Sequence, residues 1–500
     1  MIMFPKKQLG GIYLKQTISK YQNYIEGIWS DPLSGEWMEQ VNPGNGETVT
    51  SVPASDAGDI QKAVSAAKTA FYEGDWAFNP RKRSAAMFAW AAGMKQKHEE
   101  LSKLLTKDTG KPLKEARMEI TGAIGYLEFY ASAARTIYGS STAIDKYSYS
   151  IVAREPVGIV GVIVPWNYPV TLLMRDLAPA LAAGNTAVVK PAEQTTAVTL
   201  ECIKLMNDIT DFPTGVINAV SGYGNTAGLA LVQSGDVDMI SFTGGTETGK
   251  VIMIEGAKTM KKLSLELGGK SANIIFEDAD LEKALPFAIK AIFTNAGQLC
   301  TVGSRLLVQE SIASKVVAEL KLRVEALKIG NGYDETTDMG PVISEKQMNR
   351  IMKYLEAGRE SSQVVTGGER HVDGDCQNGF FIKPTVFLNP PNDCCVVQEE
   401  IFGPVLTVQT FKDAEEAVRL ANSTVYGLAS AVWSRNVDLA MSTARQLRAG
   451  TVWINTYNRL FPELETGGYK ESGVDRAGGM EGILKYTEVK HICVDFTPKT

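Results

Sequence analysis

Two short stretches carry residues able to do covalent chemistry: Cys300 within Asn295-Ala296-Gly297-Gln298-Leu299-Cys300-Thr301, and Glu266 within Glu266-Leu267-Gly268-Gly269-Lys270. The first puts one thiol in a small glycine-containing turn after an apolar segment at 288–293, and the second sets a carboxylate beside paired glycines. A thiol with an ordinary pKa of about 8.5 is mostly protonated at neutral pH, so a nucleophilic cysteine needs a base or a positive field. The chain has 3 histidines, His98, His371 and His491, and none is near either stretch. A carboxylate-assisted thiolate is the reading that remains, with Glu266 taking a proton directly or through one water. Taken alone, Cys300 would read as a buried structural cysteine; the neighbouring motifs are what lift it out of that class.

The elements that must position these residues alternate in type. Ile60, Ala63, Val64, Ala67 and Ala70 fall at helical spacing, and long helical stretches continue over 81–132. Residues 157–164 form an apolar run bounded by Pro156 and Pro165, the pattern of a strand buried on both faces. A helix at 170–183, a strand at 186–189, a helix from near Thr195 and strands at 216–220, 239–242 and 272–276 follow. Beyond Cys300, strands read at 305–308, 405–411, 430–432 and 450–454. Near the start, the stretch from Tyr24 to Trp29 reads as a hairpin with Gly27 at its turn, after an irregular tail over 1–20. Strands alternating with helices predict an α/β fold of doubly wound domains.

Two glycine-rich turns follow strands of this series. Gly222-Tyr223-Gly224-Asn225-Thr226-Ala227-Gly228 is GxGxxxG, one residue away from the dinucleotide fingerprint. Gly244-Gly245-Thr246-Glu247-Thr248-Gly249 opens a helix whose free N–H groups would suit a pyrophosphate.

In order along nearly the whole chain stand Pro165-Trp166-Asn167-Tyr168-Pro169, Lys190-Pro191-Ala192-Glu193, Phe242-Thr243-Gly244-Gly245-Thr246, the Glu266 and Cys300 stretches, Glu400-Ile401-Phe402-Gly403-Pro404 and Gly467-Gly468-Tyr469-Lys470. The set resembles the aldehyde dehydrogenase superfamily. Gly450-Thr451-Val452-Trp453-Ile454-Asn455 and the Gly244-Gly245 pair look most like its betaine aldehyde branch. The resemblance implies two doubly wound α/β domains plus a small β oligomerisation element. It assigns 21–136 and 155–267 to NAD binding, 268–479 to catalysis, and 137–154 with 480–500 to assembly as a homodimer or homotetramer. It implies oxidation of an aldehyde at Cys300, with Asn167 and the Cys300 N–H holding the oxyanion and Glu266 activating the water that hydrolyses a thioester. A relative that passes its acyl group to coenzyme A would not need Glu266, and a non-catalytic scaffold would not need Cys300, Glu266 and Asn167 together. For NAD, the implied contacts are Trp166, Lys190, Glu193, Gly222, Gly244, Gly245, Thr246, Gly268, Glu400 and Phe402. A carboxylate at Glu193 can accept from ribose hydroxyls and would repel a 2′-phosphate, which favours NAD over NADP.

Departures from relatives collect on the substrate side, where Tyr168, Arg175, Leu299, Thr301, Arg459 and Thr466 are the candidate contacts. Thr466 stands where many relatives have an aromatic, and Arg175-Asp176 replaces a Trp-Lys of the betaine aldehyde branch. Quaternary ammonium groups bind best on aromatic faces, whereas a guanidinium suits a carboxylate or sulfonate. The expected substrate is therefore a small anionic semialdehyde, with betaine aldehyde or an aminoaldehyde as the alternative. Two readings stay open for each arginine: Arg175 binds substrate or pairs with Asp176, and Arg459 binds substrate or pairs with Glu463 or Glu465. Ala477 replaces the glutamate that in relatives partners the lysine lost at Asp176.

The whole chain sets the outer bounds. Its 500 residues allow roughly two to four domains. A formal charge of −6 argues against a nucleic-acid surface and a polybasic membrane anchor. The 6 cysteines show no CxxC spacing, so neither a disulfide framework nor a metal site is expected. No apolar run is long enough to span a bilayer, and lysines interrupt the N-terminal segment, so a reduced, cytoplasmic protein is expected.

Overall fold

The computed structural model describes residues 18–206 and 212–498. Short runs of Val, Ile and Ala bounded by glycine or proline become the inner strands, because an extended backbone buried on both faces must carry apolar side chains throughout. Ile159–Ile163, Thr186–Lys190, Ile217–Ala219, Met239–Thr243 and Lys262–Glu266 pair in parallel at the centre of an eight-stranded sheet. The Asn23–Ile25 and Ile28–Ser30 hairpin extends one edge, and Gly473–Val474 pairs antiparallel on the other. Glu26 and Gly27 turn the hairpin with φ of 52° and 78°, the left-handed pair that matches strand twist.

The second, seven-stranded sheet runs in the order Gln363–Thr366, Thr385–Leu388, Val405–Phe411, Arg305–Gln309, Ala272–Ile275, Ala429–Trp433 and Thr451–Ile454. Only its first strand is antiparallel. Each sheet has its own apolar core, one around Trp76, Trp90 and Tyr130, the other around Phe387, Trp433 and Trp453. The fold is the α/β architecture expected, two large doubly wound sheets with three smaller ones. One of these joins Trp37–Val41, Thr48–Pro53 and Ser19–Lys20, and another pairs Tyr426–Gly427 with Tyr469–Lys470. The third is an antiparallel three-stranded sheet that joins Ser140–Asp145, Ser148–Pro156 and Thr487–Asp495.

Four strands of the two large sheets escape the sequence pattern: Lys262–Glu266, Gln363–Thr366, Thr385–Leu388 and Gly473–Val474. Of the segment read as an irregular tail, residues 1–17 lie outside the described residues. Its end is ordered differently from expectation, since Ser19–Lys20 pairs in parallel with Thr48–Pro53. Helix Pro169–Ala183 connects the site to the core: Pro169 occupies its first turn, and Gly184, at φ 103°, ends it. All but one of its residues are buried, including the charged neighbours Arg175 and Asp176. No helix among the described residues is long and apolar enough to cross a membrane.

Candidate active site

The first sheet reverses its strand order at Ile159–Ile163, building outward through Thr186–Lys190 and then returning to the other side as Met239–Thr243 and Lys262–Glu266. Loops leaving the carboxyl ends of strands at such a reversal diverge and leave a crevice. Trp166 and Asn167 follow the first of these strands, Gly244 and Gly245 follow Thr243, and Glu266 ends its own strand.

Cys300 reaches the same place on a strained turn. Asn295, Ala296 and Gly297 have φ of 49°, 52° and 73°, and a non-glycine residue held there costs about 1–3 kcal/mol unless its surroundings enforce it. The surroundings do. The Asn295 backbone N–H donates to Glu115 Oε2 at 2.9 Å, and its side-chain amide donates to the Asn167 carbonyl at 3.1 Å. Gln298 donates back to the Asn295 carbonyl at 2.9 Å and accepts from the Ile343 N–H at 2.9 Å. Asn167 Nδ2 donates to the Gln298 carbonyl at 3.0 Å, which ties the candidate oxyanion amide to the thiol's own turn. The stretch after Glu266 threads between two groups. A Cβ on Gly268 would lie 2.6 Å from Glu400 Oε2, and one on Gly269 would lie 2.5 Å from the Cys300 carbonyl oxygen.

Burial dominates the electrostatics. It pushes the Cys300 thiol up to about 11, opposed mainly by the Arg175 guanidinium. It likewise raises Glu266 to about 7, opposed by Arg175 and then Lys485. Glu266 Oε1 is buried and accepts no hydrogen bond from the described residues. A desolvated, unpartnered carboxylate oxygen near neutrality beside a thiol has the properties a general base needs.

The glycine turns divide in role. Gly222 is a packing residue in this structure, since a Cβ there would meet the Ser55 carbonyl at 2.8 Å and Ala227 at 2.7 Å. Gly245, by contrast, faces open space, and helix Thr246–Ala257 starts behind it with no side-chain cap. Those uncapped N–H groups fit a pyrophosphate. Nearby, Lys190 is buried. Its Nζ donates to Glu193 Oε1 at 3.2 Å, and the Gly224 N–H donates to the same oxygen at 2.8 Å. Glu400 accepts from the Gly269 N–H at 2.9 Å, and burial raises it to about 7. Phe402, at φ 59°, meets Trp166 edge-on with ring centroids 5.3 Å apart. The strand ends thus bring together a helix start with free backbone donors, partly buried carboxyl groups and an aromatic wall.

The sequence model of the aldehyde dehydrogenase family matches residues 29–492. The chain belongs to that family. It is 44% identical over 473 residues to a betaine aldehyde dehydrogenase of Bacillus subtilis, covering 94% of this chain and 96% of that one. A hydroxyisobutyraldehyde dehydrogenase of Mycolicibacterium austroafricanum is 38% identical over 476 residues, with 95% and 94% covered. Among solved structures, betaine aldehyde dehydrogenase of Staphylococcus aureus in complex with NAD+ superposes with a TM-score of 0.94 at 39% identity, covering 96% of each chain.

Within this aldehyde dehydrogenase, the candidate substrate residues fall into two groups. Thr301 Oγ1 donates to Asn458 Oδ1 at 2.8 Å, and Tyr457 Oη donates to the Thr301 carbonyl at 2.9 Å, which brings the 455–461 loop against the thiol's turn. Arg459 lies on that loop, exposed over the Phe461 ring at 5.5 Å, and makes no ion pair among the described residues. Arg175 has the opposite arrangement. Its Nε and Nη2 lie 3.3 Å from the two Asp176 oxygens, and Nη2 donates to Thr243 Oγ1 at 2.5 Å. Of the two readings open for each arginine, the ion pair holds for Arg175 and fails for Arg459. Leu299 packs into the second apolar core. The Thr466 hydroxyl donates to the Ala477 carbonyl at 3.3 Å.

Sequence reasoning missed the support behind Asn167 and Tyr168. Lys111 Nζ donates to Glu119 Oε2 at 2.5 Å and to the Asn167 carbonyl at 2.8 Å, and sits 4.0 Å from the Tyr168 ring centre. Glu119 Oε1 in turn accepts from the Val170 N–H at 2.9 Å, holding the start of helix Pro169–Ala183. The available signal was two acids four residues apart, Glu115 and Glu119, on the buried face of helix Leu113–Ala133. Both side chains of the Lys111–Glu119 pair are fully buried. Lys111→Met is therefore expected to cost about 3–5 kcal/mol in chemical denaturation, because it strands a buried carboxylate.

Proposed function

We propose that this chain is an NAD-dependent dehydrogenase that oxidises a small anionic semialdehyde, carrying a carboxylate or sulfonate, to its acid. The observation that carries the catalytic part is Glu266: buried, with Oε1 unpartnered, beside the half-buried thiol of Cys300. When bound, NAD supplies the hydride acceptor that the oxidation requires. Its adenosine end would be held by Lys190 and Glu193, its pyrophosphate by the Gly245–Thr246 helix start, and its nicotinamide end by Glu400, Phe402 and Trp166. The residues of the chain do the rest. Cys300 attacks the aldehyde carbon as the thiolate, its proton passing to Glu266 directly or through one water and from there to solvent. The Asn167 amide and the Cys300 N–H donate to the resulting oxyanion. Once the carbon is at the oxidation level of a thioester, Glu266 takes a proton from water, the oxygen attacks, and the Cys300 thiolate leaves.

The unpaired Arg459 supports an anionic substrate, and Thr466 lowers the aromatic content expected of a cation cage. A second reading, betaine aldehyde or an aminoaldehyde, is supported by the names of the similar proteins and by the exposed Glu463 near the same loop. The test is NADH production at fixed NAD from succinate semialdehyde and from betaine aldehyde, with Arg459→Ala alongside. KM for the anion should rise about tenfold in the variant, the worth of one charged hydrogen bond, while the cation is unaffected. Equal KM values for the anion in both proteins would remove Arg459 as its anchor. Preference for betaine aldehyde would replace the first reading by the second, and product formed only when coenzyme A is added would indicate acyl transfer.

Assembly belongs to the same reading. The antiparallel three-stranded sheet exposes Tyr149, Ile151, Ile492 and Val494, an apolar face suited to a second copy in a homodimer or homotetramer. The 6 unpaired cysteines support a reducing, cytoplasmic setting.

A further inference from the structure

Glu266 belongs to a polar block set into an otherwise apolar sheet. In the parallel register of Met239–Thr243 with Lys262–Glu266, Ser241 stands beside Ser264 and Thr243 beside Glu266. Alternation along each strand puts all four side chains on one face, and all four are buried. Inner strands of a parallel sheet ordinarily carry apolar residues on both faces, so this block needs dedicated partners. They come from two distant segments. Helix Pro169–Ala183 supplies Arg175 and Asp176, with Arg175 Nη2 donating to Thr243 Oγ1 at 2.5 Å and Thr243 Oγ1 donating to Asp176 Oδ2 at 3.4 Å. The C-terminal segment supplies Lys485, whose Nζ donates to Ser264 Oγ at 2.7 Å, and Tyr486, whose hydroxyl donates to Ser241 Oγ at 3.1 Å. Every member of the block but one is thereby satisfied. The exception is Glu266 Oε1, which lies 3.0 Å from where a Cβ on Gly467 would be.

Two basic groups fixed on the neighbours of Glu266 oppose the effect of burial on its carboxyl group, and its one unbonded oxygen is left free to act. We propose that Arg175 and Lys485 are positioning residues for hydrolysis, holding Glu266 as the free carboxylate, and that Asp176 moderates the charge Glu266 feels from Arg175. The inference rests on the reading of Glu266 as the hydrolytic base. The other charged or titratable groups around it are Arg476 and Asp475 on the 475–476 turn, Cys300 itself, and Tyr126 on helix Leu113–Ala133. Burial works to lower the Arg175 guanidinium, and the Asp176 and Glu266 carboxylates reverse this, so it remains charged throughout the working range. Arg175 therefore acts as a fixed charge, with no role as a proton carrier.

The role separates from substrate binding because it is independent of substrate charge. Because Arg175 also opposes the effect of burial on the Cys300 thiol, the burst rate and the steady rate are read separately. p-Nitrophenyl acetate gives both without NAD. The Cys300 thiolate attacks the acetyl carbonyl and nitrophenolate leaves in a burst; water attacks the thioester as Glu266 takes its proton, and thiolate leaves as acetate forms. The steady rate after the burst, measured from pH 5.5 to 9, reports Glu266. Arg175→Met and Lys485→Met should each move its acid limb up by about one pH unit or more, which slows hydrolysis about fivefold at pH 7 while the burst stays near one equivalent. Arg175→Lys should restore most of the shift. Asp176→Asn should move the limb down, the opposite direction, which general loosening of the site would not produce.

Limbs coinciding with wild type in Arg175→Met and Lys485→Met proteins of unchanged thermal midpoint would overturn the proposal, as would Arg175→Met and Asp176→Asn shifting together. If Arg175→Met does not fold, Lys485→Met and Asp176→Asn decide the matter by the same signs. Glu266→Gln hydrolysing at the wild-type rate would overturn the role of Glu266 and this proposal with it. Unmoved limbs beside a slow Glu266→Gln would remove the positioning role alone.

Discussion

A Glu266→Gln protein is expected to release about one equivalent of NADH per active site in the first turnover and then slow at least about a hundredfold, the usual worth of a positioned general base. Glutamine keeps the volume and one acceptor oxygen but takes no proton. The thioester still forms, more slowly, from a thiol that loses its proton to solvent, and its hydrolysis does not follow. Rapid-mixing absorbance at fixed NAD separates the two phases, and mass spectrometry of the quenched protein should find the acyl group on Cys300. A Glu266→Gln protein with full steady turnover would assign water activation elsewhere. In the wild type, burial has raised Glu266 from 4.5 to about 7, so its base form grows as pH rises through neutrality and the steady rate falls on the acid side. The stability effect of the same group has a fixed sign. The native state holds a proton that the unfolded chain releases near 4.5, so its contribution is fully present below that pH and is lost as pH rises through about 7.

Cys300→Ala is expected to abolish the burst and the steady rate together, a loss on the order of 10⁴-fold or more for removal of a covalent nucleophile. The backbone N–H remains and the side chain is small, so the strained turn at Asn295, Ala296 and Gly297 should persist. Titration of the variant with NAD should give wild-type affinity, because no proposed cofactor contact is touched. Residual aldehyde oxidation in Cys300→Ala at more than a small fraction of the wild-type rate would point to a different nucleophile. Retained NAD binding with no chemistry in the wild type would instead fit a scaffold that kept the fold.

Local sequence determined much of the architecture. Period-two and apolar runs at Ile159–Ile163, Thr186–Lys190 and Val405–Phe411 specify buried strands, because a backbone enclosed on both faces accepts little else. Turn chemistry specified the hairpin at Glu26 and Gly27, and residue type nominated Cys300, Glu266 and Asn167. Lys262–Glu266 was not legible, because the face it turns inward carries Ser264 and Glu266, and a polar face reads as a surface until its buried partners are known.

Tertiary structure alone decided what surrounds the nominated residues. Glu115 holds the Cys300 turn from 180 residues away, Arg175 meets Thr243 across 68, and Lys485 meets Ser264 across 221. None of these pairings has a local signature, since a charged side chain in a helix looks the same whether it faces water or a partner. For the same reason the sequence could not choose between the two fates of each arginine. Geometry made that choice: a buried guanidinium must find an anion, and Arg175 has Asp176 within reach, whereas Arg459 remains solvated and needs none. Chemistry was therefore written in residue types and short spacings, while the charge environment that would let it run near neutral pH was set by which distant segments the fold packs together.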